Sequence, residues 1–148
     1  IRDSMKTKLL KEARKLSIND AVFIKSGMSF SELAQHFRSA DLVIYPSYYE
    51  GQGLIPLESM SSGTPVATVN MAPLTEMVDN SVGGLFDMGN PDDLANTVNT
   101  MLSNPELRSQ QGKAGRDLVL SKYTYEHNAN DFLAIYQSII GVAQPPTM

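Results

Sequence analysis

A parallel α/β sheet covered by helices is the fold class this sequence predicts, and three observations predict it. Short apolar runs alternate with amphipathic helical stretches as far as Phe86, after which the chain is helical, the pattern of strands joined by crossover helices. The runs are Ala21-Val22-Phe23-Ile24, Leu42-Val43-Ile44-Tyr45, Pro65-Val66-Ala67-Thr68-Val69 and Gly84-Leu85-Phe86. A glycine bend, Glu50-Gly51-Gln52-Gly53, follows the second run. It therefore lies at the carboxyl end of a strand, where open α/β sheets bind ligands.

Taken in order, residues 4–16 read as a basic amphipathic helix with Leu9, Leu10, Ala13 and Leu16 on its apolar side. Residues 21–24 read as a short buried strand. Ser29-Phe30-Ser31-Glu32 has capping-box spacing and opens a helix through Leu33, Ala34 and Phe37. Strand 42–45 comes next, then the bend and a helix to about Ser61, which Ser62-Gly63 closes as a C-cap. Strands 65–69 and 84–86 complete the sheet. Asn90-Pro91-Asp92-Asp93 caps a helix with Leu94, Val98, Met101 and Leu102 on one stripe, and residues 105–121 form another after Asn104-Pro105. Thr124 caps the last, whose stripe is Tyr125, Ala129, Phe132, Leu133, Tyr136, Ile139 and Ile140. Tyr123, Tyr125 and Tyr136 are expected to pack in the core, and His127 to be a surface or capping residue. Residues 1–140 read as one domain, and 141–148 as a frayed tail.

The 148 residues suffice for one sizeable core, and 42% hydrophobic with 19% charged residues excludes wholesale disorder. A net charge of −4 gives no global reason to bind nucleic acid. With no cysteine and only two histidines, His36 and His127, disulfides and thiolate metal sites are excluded and a zinc site is not expected. Arg2, Lys6, Lys8, Lys11, Arg14 and Lys15 crowd the first 15 residues. Lacking bulky aromatic companions, they read as a solvated face rather than a lipid-binding one. No run approaches the ~20 apolar residues of a membrane span. The opening Ile-Arg-Asp-Ser carries neither an initiator methionine nor a signal-peptide pattern, and reads as mid-protein sequence.

Chemistry concentrates between Ser47 and Glu58. Glu50 and Glu58 are separated by seven residues, with Gly51-Gln52-Gly53 after the first and a helix-forming run, Leu54-Ile55-Pro56-Leu57, before the second. Glycines let backbone N–H groups approach an anion, and the helix start adds a favourable dipole. Carboxylates beside such a nest would repel phosphate unless they serve the hydroxyls of a sugar or ribose, which an ionised carboxylate can accept in pairs. The combination points to a nucleotide sugar. Taken alone, Glu58 could equally be a solvent-facing helix residue, and Glu50 a charge complementing the helix dipole.

From Val22 to Glu58 the sequence resembles the donor-binding half of a retaining GT-B glycosyltransferase of the family 4 type. The residues carrying the likeness are Val22-x-Ile24, Glu32-Leu33, Ala40-Asp41, Pro46-Ser47, Glu50-Gly51-Gln52-Gly53-Leu54 and Leu57-Glu58. It continues through Gly63-Thr64-Pro65-Val66, Glu76 and Gly83-Gly84-Leu85, nearly the whole chain. The resemblance implies a Rossmann-like parallel sheet with helices on both faces, forming the C-terminal part of a GT-B fold. It places Glu50 at the donor sugar, the backbone of Gly51, Gln52, Gly53 and Leu54 at the diphosphate and sugar, Glu58 at the ribose, and the loop Ser26, Gly27 and Met28 at the base. It implies transfer from a nucleotide-diphosphate sugar to an acceptor hydroxyl with retention, needing neither cofactor nor divalent metal. Departures from the family pattern are Gln52 where Phe is common, Ser26 for a glycine, and Met71-Ala72 where a Gly-Gly pair often stands.

The resemblance further implies that the domain's first two strands, with the basic residues that meet the diphosphate, lie upstream together with an acceptor-binding N-terminal domain. That domain would hold a glycan, lipid or small-molecule acceptor. Strand 21–24 would then be the outer third strand of the sheet, and strand 42–45 would expose an unpaired edge. The alternative expectation is a non-catalytic donor-binding subunit working with a separate acceptor-binding chain. Residence in the cytoplasm is expected, since nucleotide sugars are made there, with peripheral membrane association open through the missing domain.

Overall fold

Strands β1 (Val43–Tyr45), β2 (Val66–Val69) and β3 (Gly83–Phe86) form a parallel sheet in the order β1-β2-β3. The computed structural model of the chain describes residues 3–141. It divides into two compact units, the first ending at Leu33 and the second beginning at Ala34. The expected tail, apart from Gly141, and Arg2 of the basic cluster lie outside the described residues.

The first unit holds α1 (Asp3–Lys15), a 3-10 turn at Asn19–Ala21 and the start of α2 (Phe30–Ser39). Lys6, Lys8, Lys11, Arg14 and Lys15 are exposed on α1, as a solvated face requires, and Lys15 pairs with Glu12 at 2.8 Å. The capping box forms: Ser29 N donates to Glu32 Oε2 at 2.8 Å and Glu32 N returns a bond to Ser29 Oγ at 3.3 Å. The expected strand at 21–24 does not form. Ala21 ends the 3-10 turn, and Phe23 is 81% exposed. Val22 has an extended backbone, but no strand lies beside it among the described residues. A strand needs a hydrogen-bonding neighbour, which an apolar run by itself cannot supply.

In the second unit, every residue of β2 is buried, with Val43↔Val66 and Val66↔Gly83 setting the register on its two sides. Helices α3 (Leu54–Ser61) and α5 (Pro105–Lys122) cover one face, where Leu57, Met60 and Val119 pack with Val66. On the other face Met101 of α4 (Pro91–Leu102) packs with Ala67, Val69, Leu74 and Phe86. The expected double covering is therefore present; among the described residues β1 pairs with β2 on one side, and Ile44 is exposed.

Local signals place the closing helices. Asn90 Oδ1 accepts from Asp93 N at 3.1 Å and Asn104 Oδ1 from Leu107 N at 3.0 Å, each with proline as the next residue. Thr124 Oγ1 caps α6 (Tyr125–Ile140) by accepting from His127 N at 3.2 Å, and lies 2.7 Å from the His127 ring. The face of α6 corrects the sequence reading. None of its residues is buried, and Tyr125 and Tyr136 are exposed. Phe132 and Tyr136 stack on each other at 6.3 Å instead. Only Tyr123 packs against the core as expected. Apolar periodicity says that a helix has a face to bury, not what will cover it.

Candidate functional site

The candidate site is built at the carboxyl ends of β1 and β2. Beyond Tyr45 the chain leaves the sheet through Pro46 and bends through Gly51-Gln52-Gly53 into α3. Gly53 is the N-cap of α3, in the left-handed conformation at φ 85° and ψ 61°. A Cβ there would lie 2.6 Å from Leu74 Cδ2, so both backbone and space require glycine. Leu74 belongs to the 3-10 turn Leu74–Glu76 after β2, so the two loops at this end of the sheet pack together. The amides of Gly51, Gln52, Gly53 and Leu54 donate to no acceptor among the described residues. They are free for an anion.

The two carboxylates differ in setting. Glu50 is half-buried at the bend, and the Tyr45 hydroxyl donates to its Oε1. This bond, with a smaller contribution from Ser47, holds the Glu50 carboxyl below the ordinary carboxylate range. The Tyr45 phenol moves the other way, raised by burial of the ring and then by Glu50. The signs fix the window in which the pair stabilises the bend. The Glu50 contribution is present above the ordinary carboxylate value and is lost as pH falls through the lowered one. That of Tyr45 is present below 10.0 and is lost as pH rises through its raised value. Across neutral pH Glu50 is an ionised acceptor.

Glu58 lies on α3, half-buried, with Oε2 out of contact with solvent and without a hydrogen-bond partner. An orphaned carboxylate oxygen is costly to the fold, and a hydroxyl donor would satisfy it. Its helix is held in place from below. Arg116 of α5 donates to Ser61 O, and Ser59 Oγ donates to Thr64 O at 2.9 Å. Ser62 ends the helix and Gly63 follows at φ 80°, the expected C-cap.

Of the sequence-predicted residues, Glu50, Gly51, Gln52, Gly53, Leu54 and Glu58 share this bend-and-helix unit. Ser26, Gly27 and Met28 form an exposed turn in the first unit, with Gly27 at φ 69°. Tyr48 and Tyr49 are exposed, so they do not fill the space beneath the bend. Met71 packs against the core, and Glu76 is exposed, its carbonyl accepting from the Tyr123 hydroxyl at 3.4 Å. Tyr45 is a site residue that the sequence reading assigned only to a strand. Its spacing of five residues from Glu50 across a proline was the available signal. Among the described residues, no group of three or more His, Asp or Glu is placed to hold a metal ion, and no helix is long and apolar enough to cross a membrane.

Residues 2–118 match the family model described as glycosyl transferases group 1. A D-inositol 3-phosphate glycosyltransferase from Nocardiopsis dassonvillei is 31% identical over 127 residues, covering 85% of this chain and 29% of the relative. The chain thus spans about 29% of the length of such relatives. The C-terminal domain of a group 1 family glycosyl transferase (LpcC) from Francisella tularensis superposes with a TM-score of 0.75 at 26% identity, covering 83% of this chain and 64% of that one. HepE from Anabaena, solved with UDP and glucose, superposes with a TM-score of 0.82 at 19% identity, covering 89% and 36%. At that identity the HepE likeness speaks for the fold alone.

Proposed function

From its membership of the glycosyl transferases group 1 family, to which this chain belongs, we propose that it is the donor-binding part of a retaining, family 4 type glycosyltransferase. The donor is a nucleotide-diphosphate sugar and the acceptor a hydroxyl held by a further domain. The observation that carries this reading is the bend itself: unengaged amides from Gly51 to Leu54 lie between an ionised Glu50 and an orphaned Glu58 oxygen. Amides suit the diphosphate, and carboxylates suit hydroxyls. Glu50 positions the sugar, and Glu58 accepts from the ribose. TarM from S. aureus, 27% identical to this chain and solved with UDP, supports a nucleotide donor.

In the proposed reaction the acceptor oxygen bonds to the anomeric carbon on the face the diphosphate leaves. The departing phosphate oxygen takes the acceptor's proton. The protein's contribution is alignment and stabilisation of the leaving charge by backbone dipoles. No side chain of this chain is assigned as general base, and no divalent metal is called for. Residence in the cytoplasm, with peripheral membrane association through another domain, fits a donor made there.

The test is titration of the full-length protein with UDP-glucose, UDP-N-acetylglucosamine and GDP-mannose, followed by a structure of the tightest complex. Glu58→Gln should weaken that donor about 10- to 100-fold, as expected for a lost hydrogen bond to a charged group, while leaving the melting temperature unchanged or higher. A nucleotide sugar bound without contact to Glu50 or Glu58 would overturn the assignment.

The 148 residues alone should be catalytically silent and bind donor weakly. Losing the alignment of donor and acceptor can forfeit on the order of 7–11 kcal/mol of barrier reduction. Glu50 and Glu58 would also place uncompensated negative charge near the diphosphate. Isothermal titration with the same three donors decides it. Micromolar binding by this chain would refute the expectation.

A further inference from the structure

We propose that Tyr45 is a positioning residue that aims the Glu50 carboxylate at the donor sugar, an inference resting on the reading of Glu50 given above. The bend that carries Glu50 is poorly anchored by itself. Tyr48 and Tyr49 on one side of it, and Gly51 and Gln52 on the other, are exposed. The Tyr45 hydroxyl donates to Glu50 Oε1, whereas the Ser47 hydroxyl, which donates to Tyr49 O at 3.2 Å, acts more weakly on the same carboxylate.

Tyr45, by contrast, is fixed from three directions. Its backbone lies in the β1–β2 ladder opposite Thr68. The fully buried Thr68 side chain donates to the Tyr45 carbonyl at 3.1 Å. Tyr45 is half-buried and packs against the core. The phenol therefore extends a rigid point of the sheet into a loop. Tying down Oε1 of a planar carboxylate sets the direction of Oε2 as well, and an acceptor aimed in advance loses less freedom when the sugar arrives. Pro46, next in sequence to Tyr45, lacks an N–H and has a restricted φ, which limits the paths the turn can take.

The experiment is a double-mutant cycle in the full-length protein, with initial rates measured for whichever of UDP-glucose, UDP-N-acetylglucosamine or GDP-mannose is turned over fastest. Tyr45→Phe keeps the ring and removes only the hydroxyl. It should lower kcat/KM about tenfold, mostly through kcat, because a loosened carboxylate still meets the sugar but in poorer alignment. The melting temperature should move by no more than about 3 °C. Glu50→Gln should lower kcat/KM by at least as much. In the Glu50→Gln background, Tyr45→Phe should cost less than about twofold, since a residue acting through Glu50 has nothing left to act on. Additive losses, or a Tyr45→Phe protein with wild-type kinetics beside an impaired Glu50→Gln, would overturn the role of Tyr45 alone. A Glu50→Gln protein with wild-type kinetics would overturn the reading of Glu50 and this proposal with it.

Discussion

Gly112→Ala should lower the melting temperature by roughly 6 °C, although alanine normally improves a helix. The propensity gain for Gly to Ala inside a helix is about 1 kcal/mol. Against it stands a Cβ that would lie 2.2 Å from Gly63 O, with Gly63 C at 3.1 Å. Those are backbone atoms, so neither side can turn away as a side-chain end would. Gly63 is also held, its N–H donating to Met60 O at 2.9 Å. Overpacking of this kind costs about 3 kcal/mol, at roughly 2–4 °C per kcal/mol for a chain of this size. One turn along, Gly115 allows the same approach, where a Cβ would meet Met60 Cγ at 3.0 Å. Two glycines thus let α5 sit against α3, and Glu58 rides on the helix they seat. Gly51→Ala is the control. Its Cβ meets nothing within 4 Å, so stability should change by less than about 0.5 kcal/mol. Thermal unfolding followed by circular dichroism measures both. A Gly112→Ala protein as stable as wild type would mean that α5 does not lie on Gly63.

Gly53→Ala should abolish measurable donor binding and cost roughly 2–5 kcal/mol of stability. The left-handed conformation at φ 85° costs a residue with a Cβ about 1–2 kcal/mol. The 2.6 Å approach to Leu74 Cδ2 adds a further share of about 1–3 kcal/mol. Leu74 is fully buried in the core with Ala67, Val69 and Phe86, so its side chain can move only against them. Relief of either strain re-aims the amides from Gly51 to Leu54. Gly53→Asn separates the two causes, because asparagine tolerates left-handed backbone but still carries a Cβ. If the Leu74 contact matters, asparagine recovers little. A Gly53→Asn protein with wild-type donor affinity would show that conformation alone was limiting.

The sequence is legible where the controlling interactions are short in range. The Ser29–Glu32 capping box and the caps at Asn90, Asn104 and Thr124 form as their spacing predicts. Each joins residues within one helical turn, so nothing distant can override it. The bend was legible for a related reason. Gly53 must be glycine because of its own backbone angle, and the helix it opens begins at the next residue. The buried run of β2 was equally plain, since a strand covered on both faces has no polar side to disguise it.

Three features needed partners that sequence spacing does not name. Val22-Phe23-Ile24 has the composition of a strand but no neighbour to complete its hydrogen bonds among the described residues. The stripe on α6 is regular, yet it stays exposed because burial requires a covering surface as well as an apolar face. The Tyr45–Glu50 contact depends on how a proline and two glycines fold the loop back over the end of a strand. By itself, then, the sequence determined the helix ends, the central strands and the glycine bend that holds Glu50 and Glu58 at one end of the sheet. The tertiary structure alone decided which apolar faces found cover and which hydroxyl met Glu50. Local backbone preference is written residue by residue, whereas pairing and burial exist only between segments.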